Sequence, residues 1–370
     1  MYVHIIILIS TVLLAAFSMS QYASSHDLTQ SPIPTVSKFG AFASFAVIIF
    51  FAMKRTEYID TSSYVGAYMS SSEKGIGSAV NAFFNADHGG FAATEVIIRT
   101  FFGNNSEMYL LIMALIGYWG FINLFRKYSV DYRLTLFFFI ATQDYASVFN
   151  AMRQVIAVSI MLLASDAFIN RRLVKFILLL GLSFTFHPSV IVWLPVYFFA
   201  HEKPWSKKMV LFFLGIAFAI FFTDTFTSFL SDVGDSLGYK NVTYGGNMGI
   251  MRALFFTAMP VFLFFKRNEL EDAPEFIKIS INLSAVTASM CILATLTSGI
   301  TIGRMMSYFN AYNCIALPYA LKDRNGQDNS VYRIVFILAY LYFFYISLQG
   351  NAGMYVSSSL GIFKYNGWGG

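Results

Sequence analysis

Arg153 and Gln154 are polar residues at the start of an apolar stretch, NAMRQVIAVSIMLLASDAFI, where they could bind a charged group. A charge at the centre of a membrane helix costs about 2.5–3.5 kcal/mol, so it needs a partner. Asn150, Arg153, Gln154 and Ala157 follow the i, i+3, i+4, i+7 spacing that predicts one helix face. A guanidinium on that face can bind a phosphate through two parallel hydrogen bonds. The alternative is that the Arg153 side chain reaches outward to the lipid headgroups.

Two more arginines border apolar stretches. Arg304 shares helical spacing with Ser307, Tyr308 and Tyr312, which predicts a polar stripe suited to sugar or phosphate contacts. Hydrogen bonds between helices explain the same stripe equally well. Arg252 begins an apolar run behind the glycine-rich segment TYGGNMG, and a position among the headgroups is the preferred interpretation of this residue.

A histidine and three carboxylates could move a proton. His187 is of the side-chain type whose charge changes near neutral pH. Asp60, Glu95 and Asp144 could each accept a proton from a sugar hydroxyl, and Asp144 lies nearest to Arg153 in the sequence. The alternatives are a structural histidine at a helix break and carboxylates that are only solvated.

The amino-acid composition indicates the environment of these residues. The 370 residues are 57% hydrophobic and only 12% charged, with a mean hydropathy of +0.60. Soluble domains carry about 25% charged residues, so the composition excludes a soluble enzyme, a disordered chain and a nucleic-acid binder. No Walker or GxGxxG loop is present, and Cys291 and Cys314 lie in apolar runs without metal-ligand spacing. The sequence therefore predicts no cofactor and no metal.

The apolar runs predict an all-α polytopic membrane protein of about twelve transmembrane helices, forming one integral membrane domain over residues 1–370. The first run is interpreted as a retained helix rather than a signal peptide, because Lys38 is the earliest basic residue. The predicted spans are roughly 2–19, 38–53, 108–125, 134–150, 152–169, 175–187, 188–200, 209–223, 249–265, 277–298, 304–321 and 332–349.

Basic clusters in the short loops predict the orientation. Clusters near positions 126–133, 171–175, 203–208, 266–267 and 322–333 should be cytoplasmic. Outer segments then fall at about 54–107 and 224–248, and both termini are outside. The first outer segment contains GIGSAVNAFF, which could lie flat on the membrane. His187-Pro188 should separate two short helices on the outer side.

The stretch from Phe149 to Phe199 resembles the EpsG-type family of bacterial polysaccharide polymerases, a branch of the Wzy polymerases. The resemblance rests on Arg153-Gln154, the basic turn Arg171-Arg172 and the motif Phe186-His187-Pro188-Ser189. Further similar elements are Asp60, Tyr64 and Tyr68 in YIDTSSYVGAY, Glu95, and the stretch from Gly303-Arg304 to Tyr308.

The resemblance implies a glycosyltransferase with a fold similar to the GT-C enzymes, in the bacterial inner membrane. Such a polymerase joins oligosaccharide repeat units carried on undecaprenyl diphosphate at the periplasmic face, building O-antigen, capsule or exopolysaccharide. A chain-length regulator and a flippase are candidate partners, with membrane lipid around them. Arg153, Arg304 and Arg252 are then assigned to the diphosphate, with Gln154 and Tyr308 beside them. His187 is a candidate for acceptor or diphosphate contact, and Asp60, Glu95 and Asp144 compete as general base.

Two other functions fit the same sequence features. A transporter or flippase for a lipid-linked glycan would also be a basic bundle with polar stripes, although no internal repeat is visible. A membrane acyltransferase that modifies glycans would need a histidine with access to a cytoplasmic acyl donor, which an outer His187 fits poorly.

Overall fold

The computed structural model of the chain is mainly helical. It describes residues 1–25, 36–209, 248–297, 301–322, 329–350 and 355–363, together with 211, 214, 215 and 218. Besides helices, these residues form isolated β-bridges, of which Glu57 with Val356 is one. Helices are numbered in chain order among the described residues. Contacts group the chain into two compact units, and each unit is described by itself.

Unit 1 comprises Met1–Leu163, Gly181–His187 and Val331–Gly370. Its helices are α1 (Tyr2–Ser25), α2 (Lys38–Lys54), α3 (Thr61–Ser70), α4 (Ile76–Asn85), α5 (Gly89–Phe102), α6 (Ser106–Tyr128), α7 (Tyr132–Ala141), α8 (Ser147–Asn150), α9 (Met152–Leu163) and α17 (Ser330–Gly350). A 3-10 turn at Asp144–Ala146 separates α7 from α8.

Unit 2 comprises Ala164–Leu180 and Pro188–Ser330. Its helices are α10 (Ser165–Ile169), most of α11 (Leu173–Phe184), α12 (Trp193–Ala200), α13 (Ile250–Phe265), α14 (Glu275–Leu296), α15 (Thr301–Met305) and α16 (Ser307–Ala320). A 3-10 helix at Pro188–Val192 precedes α12, so the predicted break at His187-Pro188 is present.

The prediction of a helical membrane protein is confirmed, but the count of twelve spans is not. Four helices are long and apolar enough to cross a membrane: Tyr2–Tyr22, Ser106–Tyr128, Glu275–Leu296 and Ser330–Gln349. The other predicted spans match shorter apolar helices, and several of them break where one continuous helix was expected. The span at 209–223 and the outer segment at 224–248 lie largely outside the described residues.

The predicted cytoplasmic clusters of unit 1 meet in space. Arg133 Nη2 lies 3.6 Å from Asp131 Oδ2, and Arg333 Nη2 lies 3.2 Å from the same oxygen. Both arginines therefore sit at one end of unit 1, as predicted for residues on a common side of the membrane.

Lys54 and Arg55 fall in the segment that the sequence predicts to be outer, where the positive-inside rule expects few basic residues, and the structure gives each a structural role. Lys54 Nζ lies 2.8 Å from Glu107 Oε2. Arg55 is 2% exposed, and its guanidinium donates to Thr61 Oγ1 at 3.0 Å and to the Val148 carbonyl at 3.3 Å. These bonds fix the start of α3, where Asp60 lies.

A downstream peptide also fixes this region. The Thr56 amide donates to the Val356 carbonyl at 2.8 Å, and the Val356 amide donates to the Glu57 carbonyl at 3.1 Å. Tyr355 donates its hydroxyl to the Phe51 carbonyl at 2.8 Å, across 304 positions of sequence. The turn that leads into Asp60 is therefore held by residues near position 356.

Gly120 allows α6 and α9 to pack closely. A Cβ at Gly120 would lie 2.2 Å from the carbonyl oxygen of Ser159. Ser159 Oγ donates to the Ile116 carbonyl at 2.6 Å, so the contact also carries a hydrogen bond between the helices. Small residues let membrane helices approach in this way.

Gly120→Ala is expected to lower the melting temperature of the detergent-solubilised protein, because the added methyl group meets backbone that has little room to move. Overpacking of this kind costs about 1–3 kcal/mol. Gly181→Ala in α11 is the matched control, since a Cβ there meets nothing within 4 Å. Equal melting temperatures for the two variants would contradict the close packing of α6 and α9.

Candidate functional site

A cavity of about 420 Å³ lies in unit 1, between α3, the turn from α4 to α5, α5 itself and the first turn of α9. It combines three carboxylates, one arginine, one histidine and two aromatic rings. The lining residues are Asp60, Ser63, Tyr64, Ala67, Ala86, Asp87, His88, Phe91, Ala92, Glu95 and Arg153.

Arg153 lies one residue after the start of α9 and presents its guanidinium to the cavity. Its Cζ lies 5.6 Å from the centre of the Tyr64 ring and 6.0 Å from that of Phe91, within cation–π range. Among the described residues, no hydrogen bond or ion pair engages this guanidinium. The rings hold its plane while its N–H groups remain available to a bound anion.

Glu95 lies on α5 and is held by a tyrosine. Tyr109, fully buried on α6, donates its hydroxyl to Glu95 Oε1 at 2.7 Å. Burial raises the pKa of the Glu95 carboxyl, and the Tyr109 hydrogen bond and the charges of Arg99 and Arg153 oppose that rise. A carboxyl with a raised pKa suits proton transfer near neutral pH.

His88 and His187 form a parallel pair. Their ring centres are 6.1 Å apart with an interplanar angle of 6°. Burial lowers the pKa of His88, the charge of Arg153 adds to this, and Asp87 opposes it. His88 Nδ1 is buried and has no hydrogen-bond partner among the described residues. The surroundings of His88 thus favour the neutral imidazole, and its Nδ1 is a buried polar atom left without a partner within the described residues.

Two glycines bring the histidines together. A Cβ at Gly89 would lie 1.9 Å from the Phe83 carbonyl oxygen, and one at Gly90 would lie 2.2 Å from Thr185 Oγ1. The Gly90 amide also donates to the Thr185 carbonyl at 3.0 Å. The backbone just after His88 therefore contacts the backbone at Thr185, two residues before His187.

Arg99 fixes the opposite side of the site. It is 2% exposed and donates to the Tyr68 carbonyl at 2.6 Å, to Ser71 Oγ at 3.1 Å and to the Glu73 carbonyl at 3.2 Å. Tyr68 stacks on Tyr109 with ring centres 4.2 Å apart. These contacts join the end of α3 to α5 and α6. Tyr109, which donates to Glu95, is therefore fixed in turn by its stacking on Tyr68.

The structure brings together four of the predicted site residues and separates two others in the same unit, Asp144 and Gln154. Asp60, Glu95 and Arg153 line one cavity, and His187 stacks on a residue of its wall. Asp144 is only 8% exposed within its 3-10 turn and lies outside the residues that line the cavity.

The shared face predicted around Arg153 is wrong in part. Asn150 ends α8, and Ala151 has φ −106° and ψ 54°, so Asn150 does not belong to α9. Gln154 is on α9 but is 4% exposed and buried inside the unit, whereas Arg153 faces the cavity. The backbone break at Ala151 changes the helical phase that the spacing assumed.

The other three predicted residues belong to unit 2. Arg252 is exposed on the first turn of α13, with its Cζ 5.9 Å from the Phe256 ring centre. Arg304 is half-buried on α15. Tyr308 is fully buried, and its hydroxyl lies 3.1 Å from Ser189 Oγ, which favours the interpretation as a hydrogen bond between helices.

His88, Asp87 and Tyr109 are the residues of the site that sequence reasoning missed. The available signal was the run Asp87-His88-Gly89-Gly90, in which two ionisable residues precede a pair of glycines. Both cysteines are free and buried, as their apolar surroundings indicated. Among the described residues, no group of three His, Cys, Asp or Glu side chains could hold a metal ion.

The fold and the cavity together define a helical membrane protein with carboxylates, a histidine and an arginine around one cavity. The family model of the EpsG family matches residues 38–366. The chain belongs to the EpsG family, a Wzy-like polysaccharide polymerase family. Searches of curated proteins and of solved structures found no match.

Proposed function

We propose that this protein joins oligosaccharide repeat units carried on undecaprenyl diphosphate, by glycosyl transfer to a sugar hydroxyl at the outer face of the bacterial cytoplasmic membrane. The observation that carries the proposal is the cavity of unit 1, which is lined both by the Arg153 guanidinium, unpaired within the described part of the chain, and by Glu95, whose pKa burial raises. Family membership supports the polymerase class.

The transfer needs a stabilised leaving group. The bond between the anomeric carbon and the diphosphate oxygen breaks, and the diphosphate leaves with the bonding electrons. Arg153 can donate two parallel hydrogen bonds to that developing charge. His88 lines the same cavity, and its imidazole can donate another hydrogen bond or hold a sugar hydroxyl.

The transfer also needs a base. As the acceptor hydroxyl oxygen bonds to the anomeric carbon, its proton passes to Glu95. Asp60 and Asp87 also line the cavity and are assigned to sugar hydroxyls, since carboxylates accept such hydrogen bonds.

The position of the cavity along α6 supports an outer location. Glu95 bonds to Tyr109, near the first turn of α6, whereas Arg126 and Lys127 lie in its last turn. A helix of 23 residues is about 34 Å long, so the two ends lie on opposite sides of a hydrocarbon core. By the positive-inside rule the basic end is cytoplasmic, which assigns the cavity to the other face.

Reconstitution tests the proposal against its alternatives. The purified protein in liposomes is expected to convert lipid-linked repeat units into a ladder of longer chains. Movement of the units across the bilayer without chain growth would identify a flippase instead. Incorporation of labelled acetyl groups without chain growth would identify an acyltransferase.

Tyr109→Phe is expected to shift the acidic limb of the pH–rate profile to higher pH. The Tyr109 hydrogen bond holds the pKa of Glu95 down, so its loss raises that pKa further above the ordinary value. Because the base must be ionised, activity is then lost earlier as the pH falls. Tyr118→Phe is the control, since the Tyr118 hydroxyl donates to the Tyr145 carbonyl at 2.7 Å and not to Glu95. An unshifted acidic limb in Tyr109→Phe would remove Glu95 from the role of base.

A further inference from the structure

Helix α4 carries an apolar face that the described residues of unit 1 leave exposed. Ile76 is 82% exposed, Val80 51% and Phe84 77%, and the three are spaced four residues apart. Phe83, 37% exposed, lies beside them. Ala79, on another side of the helix, is buried against the unit.

The opposite arc of α4 is polar. Asn81 and Asn85 are exposed, and Asn85 Nδ2 donates to Asn81 Oδ1 at 2.7 Å. At 100° per residue, Asn85 lies about 180° around the helix from Ile76. The helix has no charged residue, and the nearest charges are Lys74 before it and Asp87 after it. This is the pattern of a helix lying in a membrane interface.

The position of α4 also points to lipid. The Gly75 amide donates to Thr100 Oγ1 at 2.8 Å, which ties the start of α4 to the last turns of α5. Only three residues separate the end of α5 from Ser106, where the membrane-length helix α6 begins. Phe101, 77% exposed, adds to the apolar surface at this end.

We propose that α4 lies in the outer membrane interface, with Ile76, Val80, Phe83 and Phe84 among the lipid chains, and that it sets the cavity at the depth of the lipid headgroups. Ala86, Asp87 and His88 follow α4 directly and line the cavity. A helix seated in this way opens the cavity to the bilayer, so that a polyprenyl-linked diphosphate reaches Arg153 while its chain stays in lipid. This last step rests on the proposed function.

Spin labels on adjacent residues test the seating in the full chain. Val80→Cys and Asn81→Cys differ by 100° around one helix and are both exposed. Cys291 and Cys314, both buried, are replaced by alanine in the background. In liposomes the nitroxide at position 80 is expected to collide mainly with oxygen, and that at position 81 mainly with a water-soluble nickel chelate, giving depth parameters of opposite sign. Phe84→Cys repeats the measurement on the apolar face.

Two results overturn the inference. Equal nickel access at positions 80 and 81 would place α4 in water. A label at position 80 shielded from both reagents would mean that a protein surface covers the apolar face. The measurement needs no substrate, so its outcome is independent of the polymerase assay. Labels in lipid together with no growth of glycan chains would reject the proposed function alone. Chain growth together with labels in water would reject the seating of α4 alone.

Discussion

Arg153→Ala is expected to polymerise lipid-linked repeat units about 100- to 1,000-fold more slowly than the parent chain, the effect of removing one preorganised donor from a developing negative charge. The guanidinium is unpaired among the described residues and fixed by Tyr64 and Phe91, so its removal leaves the cavity walls in place. The rate of chain growth in liposomes, at equal protein level, measures the effect.

Arg153→Lys separates charge from geometry. Lysine keeps the positive charge but loses the planar fork, so we expect an intermediate rate. Arg267→Ala is the matched control, because Arg267 is exposed in unit 2 with its Cζ 4.4 Å from the Phe264 ring centre. An Arg153→Ala variant as active as Arg267→Ala would remove Arg153 from the diphosphate site.

Glu95→Gln is expected to slow chain growth by about 100- to 10,000-fold, the usual contribution of a positioned general base. Glutamine keeps the size of the side chain and can still accept the Tyr109 hydrogen bond, so the protein should fold normally. The loss should appear in kcat, with little change in the apparent affinity for the donor lipid.

Substitutions of two other carboxylates serve as comparisons for the effect of Glu95→Gln. Asp60→Asn should cost less, since Asp60 lines the cavity and is assigned to hydroxyl binding. Glu73→Gln should change nothing, because Glu73 is exposed and bonds through its backbone: its carbonyl accepts from Arg99 and its amide donates to Ser71 Oγ. If Asp60→Asn were the more severe variant, the role of base would move to Asp60.

The sequence was sufficient to predict helices and the break at His187-Pro188. Arg153 and Glu95, which it named as site residues, line one cavity, and their roles stay predictions. These predictions depend on local chemistry. Apolar runs form helices in a membrane, and proline disfavours helical backbone at the residue before it. A charged side chain near lipid costs free energy, so it marks a pairing or a function. The helix count was harder to predict, because short breaks such as the turn at Asp144–Ala146 divide apolar runs without changing their composition.

The composition of the site depends on contacts between distant segments. Asp144 lies nine positions before Arg153, but the backbone turns at Ala151 between them, and Asp144 is not among the residues that line the cavity. His88 comes 99 positions before His187, and the close contacts of Gly89 with Phe83 and of Gly90 with Thr185 help to bring the two rings together. No periodicity in the sequence marks such a pair.

The hydrogen bonds between residues 355–357 and the turn at 54–57 have a consequence for biosynthesis. A nascent chain can insert its early helices long before Val356 is translated. The hydrogen bonds that hold the turn before Asp60 form only after Val356 has left the ribosome. Termination before Val356 would therefore yield inserted proteins that lack these hydrogen bonds, and the order of synthesis itself delays completion of the cavity until Val356 has been translated.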